Sequence, residues 1–597
     1  MLSTQGKPRP AADLPASVNR RVRAVENQLC PYVPVAGMAG WNLEQRMRHH
    51  RVPGLSIAVI HNYQLDWAKS YGWADTTKKT PVTEETLFSA GSVSKLVAAL
   101  AALKLVEQGK LDLDKPVNGY LTSWQLPESE FTKATPVTLR MLLSHTGATS
   151  QSGYFGFTPQ QQPLPPVVDI LSGKPGVGSR AVVVNSQPGK EFRYSGGGYL
   201  VAQQAMTDAT GQDFAGLTDQ LLFKPLGLRH TTFAQPLPEA LSRKAAWAYS
   251  TAGWFKGMPY LYPQQAAAGL YTTASDLARL LIAVQNAFRG QGTFLSQPSA
   301  RALVTPQVDV SEGFYKEQMG LGAFLLQRGD NHDPKGVYFE HTGVNAGFIA
   351  YALGSLEGGN GVVILMNSDG AAGELGKEIR RAVARAYGWP GFLPDPIRPV
   401  PLPETLLAQY EGRYKKGLDE VVTIRREKDY LVETINDGNP IYCFPVGKDT
   451  VAFTDYTLKG YFARGAGGKV DSLRIEWHPA ALPRLAEGEY LPGELLRMGR
   501  YEEAINGYRS LKLNESQLTY MAYEFLHARP ARLPAARALL TLAQEQHPNS
   551  AMVFARWGDL YQKLGQVEQA IAAYQAALRL DPNDKDAQEK LLTLQTR

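Results

Sequence analysis

A proline-rich stretch divides this chain of 597 residues and limits what can fold on either side of it. Six prolines lie between Pro390 and Pro403, and a backbone that lacks so many N–H donors cannot continue a helix or a sheet. A chain of this length also exceeds what one hydrophobic core supports. The sequence therefore predicts a linker at residues 390–403, with separate folding units before and after it.

The part before the linker combines strand and helix patterns. Two apolar, strand-like runs at residues 55–60 and 361–366 are accompanied by helical periodicity over residues 96–108, 275–286 and 373–387. We treat residues 1–39 as an N-terminal extension. Residues 40–389 are predicted to form one large α/β or α+β domain.

Short β-prone runs follow the linker. They lie at residues 421–424, 430–432, 450–453 and 473–475, and turn signals rich in glycine, asparagine and aspartate separate them. We predict a small antiparallel β barrel or meander at residues 404–484. Its pattern and its place in the chain resemble the lipocalin-like modules that follow some hydrolase domains.

The last part of the chain repeats itself. Ala536, Ala543 and Pro548 recur 34 residues later as Ala570, Ala577 and Pro582. Small residues at helix crossings with this period resemble the tetratricopeptide repeat. The resemblance implies about three helix-turn-helix units and a final helix within residues 485–597, and a surface that contacts a protein or peptide partner.

The tetrapeptide Ser92-Val93-Ser94-Lys95 begins one of the helical runs. A serine and a lysine three positions apart share a helix face, so the amine can take a proton from a hydroxyl that attacks a carbonyl. The free N–H groups of a first helical turn also favour developing negative charge. Taken alone, the tetrapeptide is better explained by Ser92 as a helix N-cap and Lys95 as a solvated surface charge.

Two further motifs follow in order, Tyr194-Ser195-Gly196 and His341-Thr342-Gly343. With the segments at 51–54, 142–147, 225–228 and 269–277, they resemble the serine β-lactamase and penicillin-binding-protein-like hydrolases. The branch is that of class C β-lactamases, D-aminopeptidases, DD-carboxypeptidases and esterases. Over residues 40–389 the resemblance implies a β-lactamase/transpeptidase-like α+β fold, an antiparallel sheet flanked by helices with a helical subdomain.

The resemblance also implies roles for individual residues. Ser92 would be the acylated nucleophile, and Lys95 and Tyr194 the pair that carries its proton, with the working base left open. The backbone N–H groups of Ser92 and Val344 would form the oxyanion hole. The remaining substrate-binding residues would be His341, Thr342, Gly343, whose missing Cβ leaves room for substrate along the strand, and Gly196. The chemistry needs no metal or organic cofactor.

Two departures from the family pattern bear on the substrate. Gly196 stands where many relatives have asparagine, and His341 stands where β-lactamases have lysine. Both favour an esterase, or a peptidase acting on D-amino-acid-containing peptides, over a class C-like β-lactamase or a DD-carboxypeptidase. A non-catalytic penicillin-binding or scaffold protein acting through its repeats is the alternative from another class. A second His-Thr-Gly begins at His145, which we interpret as a structural loop histidine.

The distribution of charge argues against a nucleic-acid partner. The net charge of +6 is spread along the chain, so no nucleic-acid partner is expected. Cys30 and Cys443 are predicted to be free thiols.

The longest apolar run, residues 96–103, is too short to cross a membrane, and no signal peptide is recognised at the N-terminus. A periplasmic or secreted location is expected only because the resembling hydrolases mostly act outside the bacterial cytoplasm.

Overall fold

A computed structural model describes residues 14–250, 256–311, 317–327, 336–476, 478–528, 530–582 and 584–595. The chain divides into two compact units, residues 1–395 and residues 396–597. The division falls inside the proline-rich stretch. Among the described helices, none has both the length and the hydropathy needed to cross a bilayer.

The first unit is built around a sheet in which, among the described residues, nine strands lie in the order β3, β2, β1, β13, β12, β11, β10, β9 and β8. Neighbouring strands are antiparallel. The strands of this unit are β1 (Gly54–His61), β2 (Gln64–Asp75), β3 (Thr80–Pro81), β4 (Phe88–Ser89), β5 (Ala248–Tyr249), β6 (Lys256–Gly257), β7 (Tyr271–Thr272), β8 (Val308–Ser311), β9 (Glu317–Met319), β10 (Phe324–Gln327), β11 (Val337–Asn345), β12 (Phe348–Ser355) and β13 (Gly361–Met366).

The helices of the first unit cover both faces of this sheet or pack mainly on other helices. They are α1 (Ala16–Asn27), α2 (Leu43–His49), α3 (Val93–Glu107), α4 (Glu130–Ala134), α5 (Leu139–Leu143), α6 (Val167–Leu171), α7 (Gly196–Thr210), α8 (Phe214–Thr218), α9 (Lys224–Leu226), α10 (Glu239–Ser242), α11 (Gln265–Ala268), α12 (Ala274–Phe288), α13 (Gln297–Leu303) and α14 (Ala372–Tyr387). Ile57 and Val59 of β1 pack in one core with α1, α2 and α14. Ala58 and Ile60 pack in the other core with α3, α7 and α12. Because β1 is buried on both faces, its sequence is apolar except for the buried Ser56 and the terminal His61.

The predicted strands at 55–60 and 361–366 correspond to β1 and β13, and the three predicted helices correspond to α3, α12 and α14. The antiparallel sheet with flanking helices is therefore confirmed. Helix α1 lies in the segment that the sequence analysis left as an extension. Its residues Val18, Val22 and Val25 are buried at helical spacing in the core beside α14, so α1 is part of the packed unit.

The second unit begins with α15 (Glu404–Tyr410) and a nearly closed barrel. Among the described residues, eight strands follow one another as an antiparallel meander: β14 (Gly412–Lys415), β15 (Val421–Arg426), β16 (Leu431–Ile435), β17 (Ile441–Gly447), β18 (Thr450–Phe453), β19 (Lys459–Arg464), β20 (Val470–Ile475) and β21 (Leu482–Pro483). The Leu485 N–H donates to the Arg413 carbonyl at 2.7 Å and brings the last strand back to the first. The predicted antiparallel barrel is confirmed.

Helices fill the rest of the second unit. They are α16 (Pro492–Arg497), α17 (Tyr501–Leu511), α18 (Glu515–His527), α19 (Leu533–Gln546), α20 (Ala551–Lys563), α21 (Val567–Leu580) and α22 (Lys585–Gln595). The small residues of the repeat lie at tight crossings: a Cβ added to Gly558 would meet the Tyr574 ring at 2.4 Å.

The barrel and the helices are bonded to each other inside this unit. Arg413 of β14 donates to both carboxylate oxygens of Glu494 at 2.8 and 2.7 Å. Asp419, in the loop after β14, accepts the Gly493 N–H at 2.6 Å and the Tyr508 hydroxyl. The separate domain bounds at residues 404–484 and 485–597 stay a prediction.

Candidate active site

Helix α3 begins at the candidate nucleophile and holds the candidate base one turn further on. Ser92 occupies the N-cap position of α3 without a capping hydrogen bond from its side chain, and it is half-buried. The Lys95 Nζ donates to the Ser92 Oγ at 3.1 Å and to the Ala267 carbonyl oxygen at 2.8 Å. Only 2% of Lys95 is exposed. The helical spacing therefore does place the amine and the hydroxyl in direct contact, inside the protein.

Short strand contacts hold this turn in place. Strand β4 pairs with β7, and the Ala90 N–H donates to the Leu270 carbonyl at 2.8 Å. Gly91 has a φ of +50°, in the left-handed region that favours glycine. The chain thus bends at Gly91 and enters α3 with the Ser92 hydroxyl on the open side.

Tyr194 lies over the lysine. Its ring centroid is 4.9 Å from the Lys95 Nζ and 6.4 Å from the Phe324 ring centroid. The next residue, Ser195, is the N-cap of α7, and its hydroxyl accepts the Gly198 N–H at 2.9 Å. Tyr194, far from both in sequence, therefore forms one cluster with Ser92 and Lys95.

Strand β11 forms the opposite wall. Its pairing with β10 ends at Glu340, opposite Phe324, so residues 341–345 extend past their neighbour and leave one edge of the strand open. A Cβ added to Gly91 would lie 2.6 Å from the Val344 nitrogen. The turn that carries Ser92 therefore packs directly against the Val344 amide, as an oxyanion hole shared by the two residues requires.

Gly343 also serves a purpose that was not predicted. We expected its missing Cβ to leave room for substrate along the strand. A Cβ there would lie 1.8 Å from the Ala90 carbonyl oxygen and 2.9 Å from the Ser92 nitrogen. Glycine is required because the backbone before the nucleophile touches β11 at this position.

The walls enclose a cavity of about 380 Å³. It is lined by Ser92, Tyr194, Glu317, Phe324, Glu340, His341, Thr342 and Val344. Of the predicted substrate-binding residues, His341, Thr342 and Val344 thus line the cavity. Gly196 does not: it is buried at the start of α7, where a Cβ would meet the Ser152 carbonyl and the Tyr154 ring at 3.3 Å.

His341 is a neutral imidazole in this wall. It is 1% exposed, and burial together with the charge of Lys95 lowers its pKa to about 3. Its Nδ1 lies 2.8 Å from the Thr342 carbonyl oxygen. Because a carbonyl can only accept, Nδ1 carries the proton and Nε2 keeps a lone pair.

Several site residues were missed by the sequence analysis. His145, interpreted as a structural loop histidine, does lie in the loop after α5, and its ring centroid is 4.3 Å from that of Tyr194, a contact that was not predicted. Phe324, Glu317 and Glu340 line the cavity without belonging to any motif. The repeated His-Thr-Gly tripeptide was the one signal in the sequence, and it does not show which distant residue His145 contacts.

The fold and the cluster around Ser92 define a class, the serine β-lactamase-like proteins. Residues 42–386 match the family described as Beta-lactamase, more than half of the chain, and the chain belongs to that family. Residues 558–591, within the helical part of the second unit, match the TPR repeat family.

Curated relatives are similar over parts of the chain. Teichoic acid D-alanine hydrolase of Staphylococcus aureus is 28% identical over 235 residues, 38% of this chain and 54% of that protein. Esterase EstB of Burkholderia gladioli is 28% identical over 305 residues, 45% of this chain and 73% of that protein. The chain thus spans about half the length of the first of these relatives.

Among solved structures, the octameric penicillin-binding protein homologue from Pyrococcus abyssi is similar with a TM-score of 0.49 and 22% identity. The similarity covers 74% of this chain and 98% of that chain.

Proposed function

We propose that this chain is a serine hydrolase that cleaves an ester or amide bond through an acyl-Ser92 intermediate. The contact of 3.1 Å between the Lys95 Nζ and the Ser92 Oγ, with the Tyr194 ring over the lysine, is the observation that carries the proposal. A hydroxyl is a weak nucleophile unless an adjacent group accepts its proton as it attacks. Lys95 and Tyr194 are placed to do this as a coupled pair.

The reaction then has two acyl-transfer steps. The Ser92 Oγ bonds to the substrate carbonyl carbon while its proton passes to the Lys95–Tyr194 pair. The oxyanion accepts hydrogen bonds from the Ser92 and Val344 N–H groups, at the N-terminus of α3 where partial positive charge is fixed. The same pair returns the proton to the leaving alcohol or amine. Water repeats the sequence on the acyl-enzyme and releases the acid.

The lining of the cavity bears on the substrate class. Its charged side chains, all within the described part of the chain, are the carboxylates Glu317 and Glu340, and lysine and arginine are absent from the lining. His341, at the position where β-lactamases have lysine, is held neutral. Among the described residues, the cation nearest to the nucleophile is Lys95, which is engaged with Ser92 and the Ala267 carbonyl, so the lining offers no further cation for an anionic substrate such as a β-lactam or a carboxyl-terminal peptide. Esters and D-aminoacyl compounds are therefore the favoured substrates, and the names of the two curated relatives agree with this.

One comparison tests the proposal. A short-chain nitrophenyl ester, a D-alanyl nitroanilide and a chromogenic cephalosporin are offered to the full chain, and each hydrolysis rate is measured. We expect turnover of the ester or the D-alanyl amide, loss of that turnover in Ser92→Ala, and full activity in the control Ser510→Ala, an exposed serine of the repeats.

A fluorophosphonate probe separates the proposal from the non-catalytic alternative. We expect mass spectrometry to find the probe on Ser92 in the wild type and no label in Ser92→Ala. An unlabelled and inactive wild type would support a binding or scaffold protein instead. Full activity in a folded Ser92→Ala would exclude Ser92 as nucleophile.

The repeats and the compartment are the remaining parts of the proposal. We propose that the repeats contact a protein or peptide, supported by the TPR match and by the exposed aromatic residues Tyr520 and Tyr523 on α18. We also propose a periplasmic or secreted location, which fractionation of cells producing the full chain would test.

A further inference from the structure

The backbone on both sides of Tyr194 is bonded to a single residue. The Arg193 N–H donates to the His145 carbonyl oxygen at 2.7 Å. The Ser195 N–H donates to the His145 Nδ1 at 3.0 Å. The imidazole ring lies against the Tyr194 ring, with centroids 4.3 Å apart and planes tilted by 34°. The carbonyl oxygen, the Nδ1 atom and the ring face of His145 therefore all contact the segment that carries the phenol.

His145 is itself held in an uncommon conformation. It follows helix α5 with a φ of +59°, in the left-handed region that costs energy for any residue other than glycine. Thr146 and Gly147, which follow it, both donate their N–H groups to the Met141 carbonyl, at 2.8 and 2.9 Å. Such a conformation persists where surrounding contacts enforce it, and it often marks a functional position.

The bond to Ser195 determines the protonation state of the ring. Because Nδ1 accepts a hydrogen bond, the proton must be on Nε2 and the imidazole must be neutral. His145 is 2% exposed, and burial with the positive charge of Lys95 holds its pKa well below the ordinary value for histidine. The aromatic and titratable groups around the ring are Lys95 of α3, Phe192 and Tyr194 before α7, Tyr199 of α7 and, more distantly, His341 of β11. None of these groups is a carboxylate that would favour the imidazolium.

We propose that His145 is a positioning residue for Tyr194, holding the phenol over Lys95 by bonding the backbone on either side of it. This rests on the proposed function, since it assigns Tyr194 a part in moving the Ser92 proton. If Nδ1 were protonated, it and the Ser195 nitrogen would both be hydrogen-bond donors, and the bond between them would break. The tyrosine would then lose its fixed place above the lysine.

Two substitutions separate the hydrogen bond from the bulk of the ring. His145→Phe keeps a ring against Tyr194 and removes the acceptor for the Ser195 N–H. His145→Asn removes the ring, places an amide oxygen near the Nδ1 position and tolerates the left-handed backbone. The control is His50→Phe, a buried histidine bonded to Glu378. All three are assayed with the nitrophenyl ester for kcat, KM and pH dependence, after thermal melting has shown that each is folded.

We expect kcat of His145→Phe to fall about 100-fold, the usual cost of misplacing a reacting group by about 1 Å, with KM little changed. We expect His145→Asn to recover most of that loss, His50→Phe to keep the wild-type kcat, and the limbs of the pH profile to move only in His145→Phe. A folded His145→Phe with wild-type kcat and pH profile would overturn the proposal. So would equal losses in the Phe and Asn variants.

Histidine NMR on the wild type supplies a readout that needs neither variant nor turnover. We expect His145, assigned through its contact with the Tyr194 ring, to stay neutral with its proton on Nε2 from pH 5 to 9. Titration of the ring inside that range would refute the proposed bond to Ser195. An active wild type with a titrating His145 refutes this inference alone, whereas a wild type that neither turns over nor takes the fluorophosphonate label refutes the proposed function.

Discussion

The contact between β11 and the turn before Ser92 makes Gly343→Ala a sharp test of the oxyanion hole. The added methyl would lie 1.8 Å from the Ala90 carbonyl oxygen and 2.9 Å from the Ser92 nitrogen. Both neighbours are backbone atoms, which cannot swing aside as a flexible side chain would. The variant therefore changes the spacing of two backbones while leaving Ser92, Lys95 and Tyr194 chemically intact.

The size of the effect follows from the geometry. Strand and turn must separate by about 1.5 Å to restore an ordinary contact between the methyl and the carbonyl oxygen. The Val344 N–H then moves away from the oxyanion, and loss of one such donor costs about 100- to 1000-fold in rate. Overpacking a tight contact also destabilises the fold by about 1–3 kcal/mol. We expect a folded protein whose kcat falls by about 100- to 1000-fold.

The assay measures kcat with the nitrophenyl ester and stability by urea unfolding. Gly373→Ala is the matched control, because a Cβ at Gly373 in α14 would meet its nearest neighbours at 3.7 Å, an ordinary contact. The control should keep its activity. A folded Gly343→Ala with wild-type kcat would show that the two N–H groups do not act together on the oxyanion.

Two further predictions concern stability. Since the pKa of His341 is lowered to about 3 from 6.5, the unfolded chain binds a proton between these values that the folded chain does not. The free energy of unfolding should therefore fall as pH drops through this range, by up to about 1.4 kcal/mol per pH unit. The fall should be smaller in His341→Asn. If urea unfolding gave the same dependence on pH for the variant and the wild type, the prediction would be contradicted. In the repeats, Gly558→Ala should cost about 1–3 kcal/mol because its methyl meets the Tyr574 ring at 2.4 Å, and an unchanged melting temperature would refute that packing argument.

Local spacing was enough to predict the elements that carry the nucleophile. The apolar run of β1 and the helical periodicity of α3 follow from burial, and three residues of helix bring Lys95 to Ser92 without help from tertiary structure. The order of motifs also predicted Tyr194 and the wall formed by His341, Thr342 and Val344.

The remaining features depend on contacts that no local pattern encodes. His145 meets Tyr194 because α5 and α7 pack together, and the two residues are 49 positions apart in the sequence. Glycine is required at position 343 because the carbonyl of Ala90, in the turn before α3, lies where a Cβ would be. Strand β19 was missed because its residues alternate between exposed and buried, with charged residues at both ends, a pattern that a search for apolar runs does not detect.

The bonds between the barrel and the first repeat helices give the barrel a second role. Stacked helical repeats need a terminal cap, since each repeat covers its neighbour and the end repeats leave an apolar face uncovered. Val421 of the barrel is buried with Leu485 and Leu491 at the approach to α16, and Asp419 anchors the start of α16 and Tyr508 of α17. The barrel thus covers the start of the helical part of this unit, so a truncation that starts at α16 would expose the face that the barrel now covers.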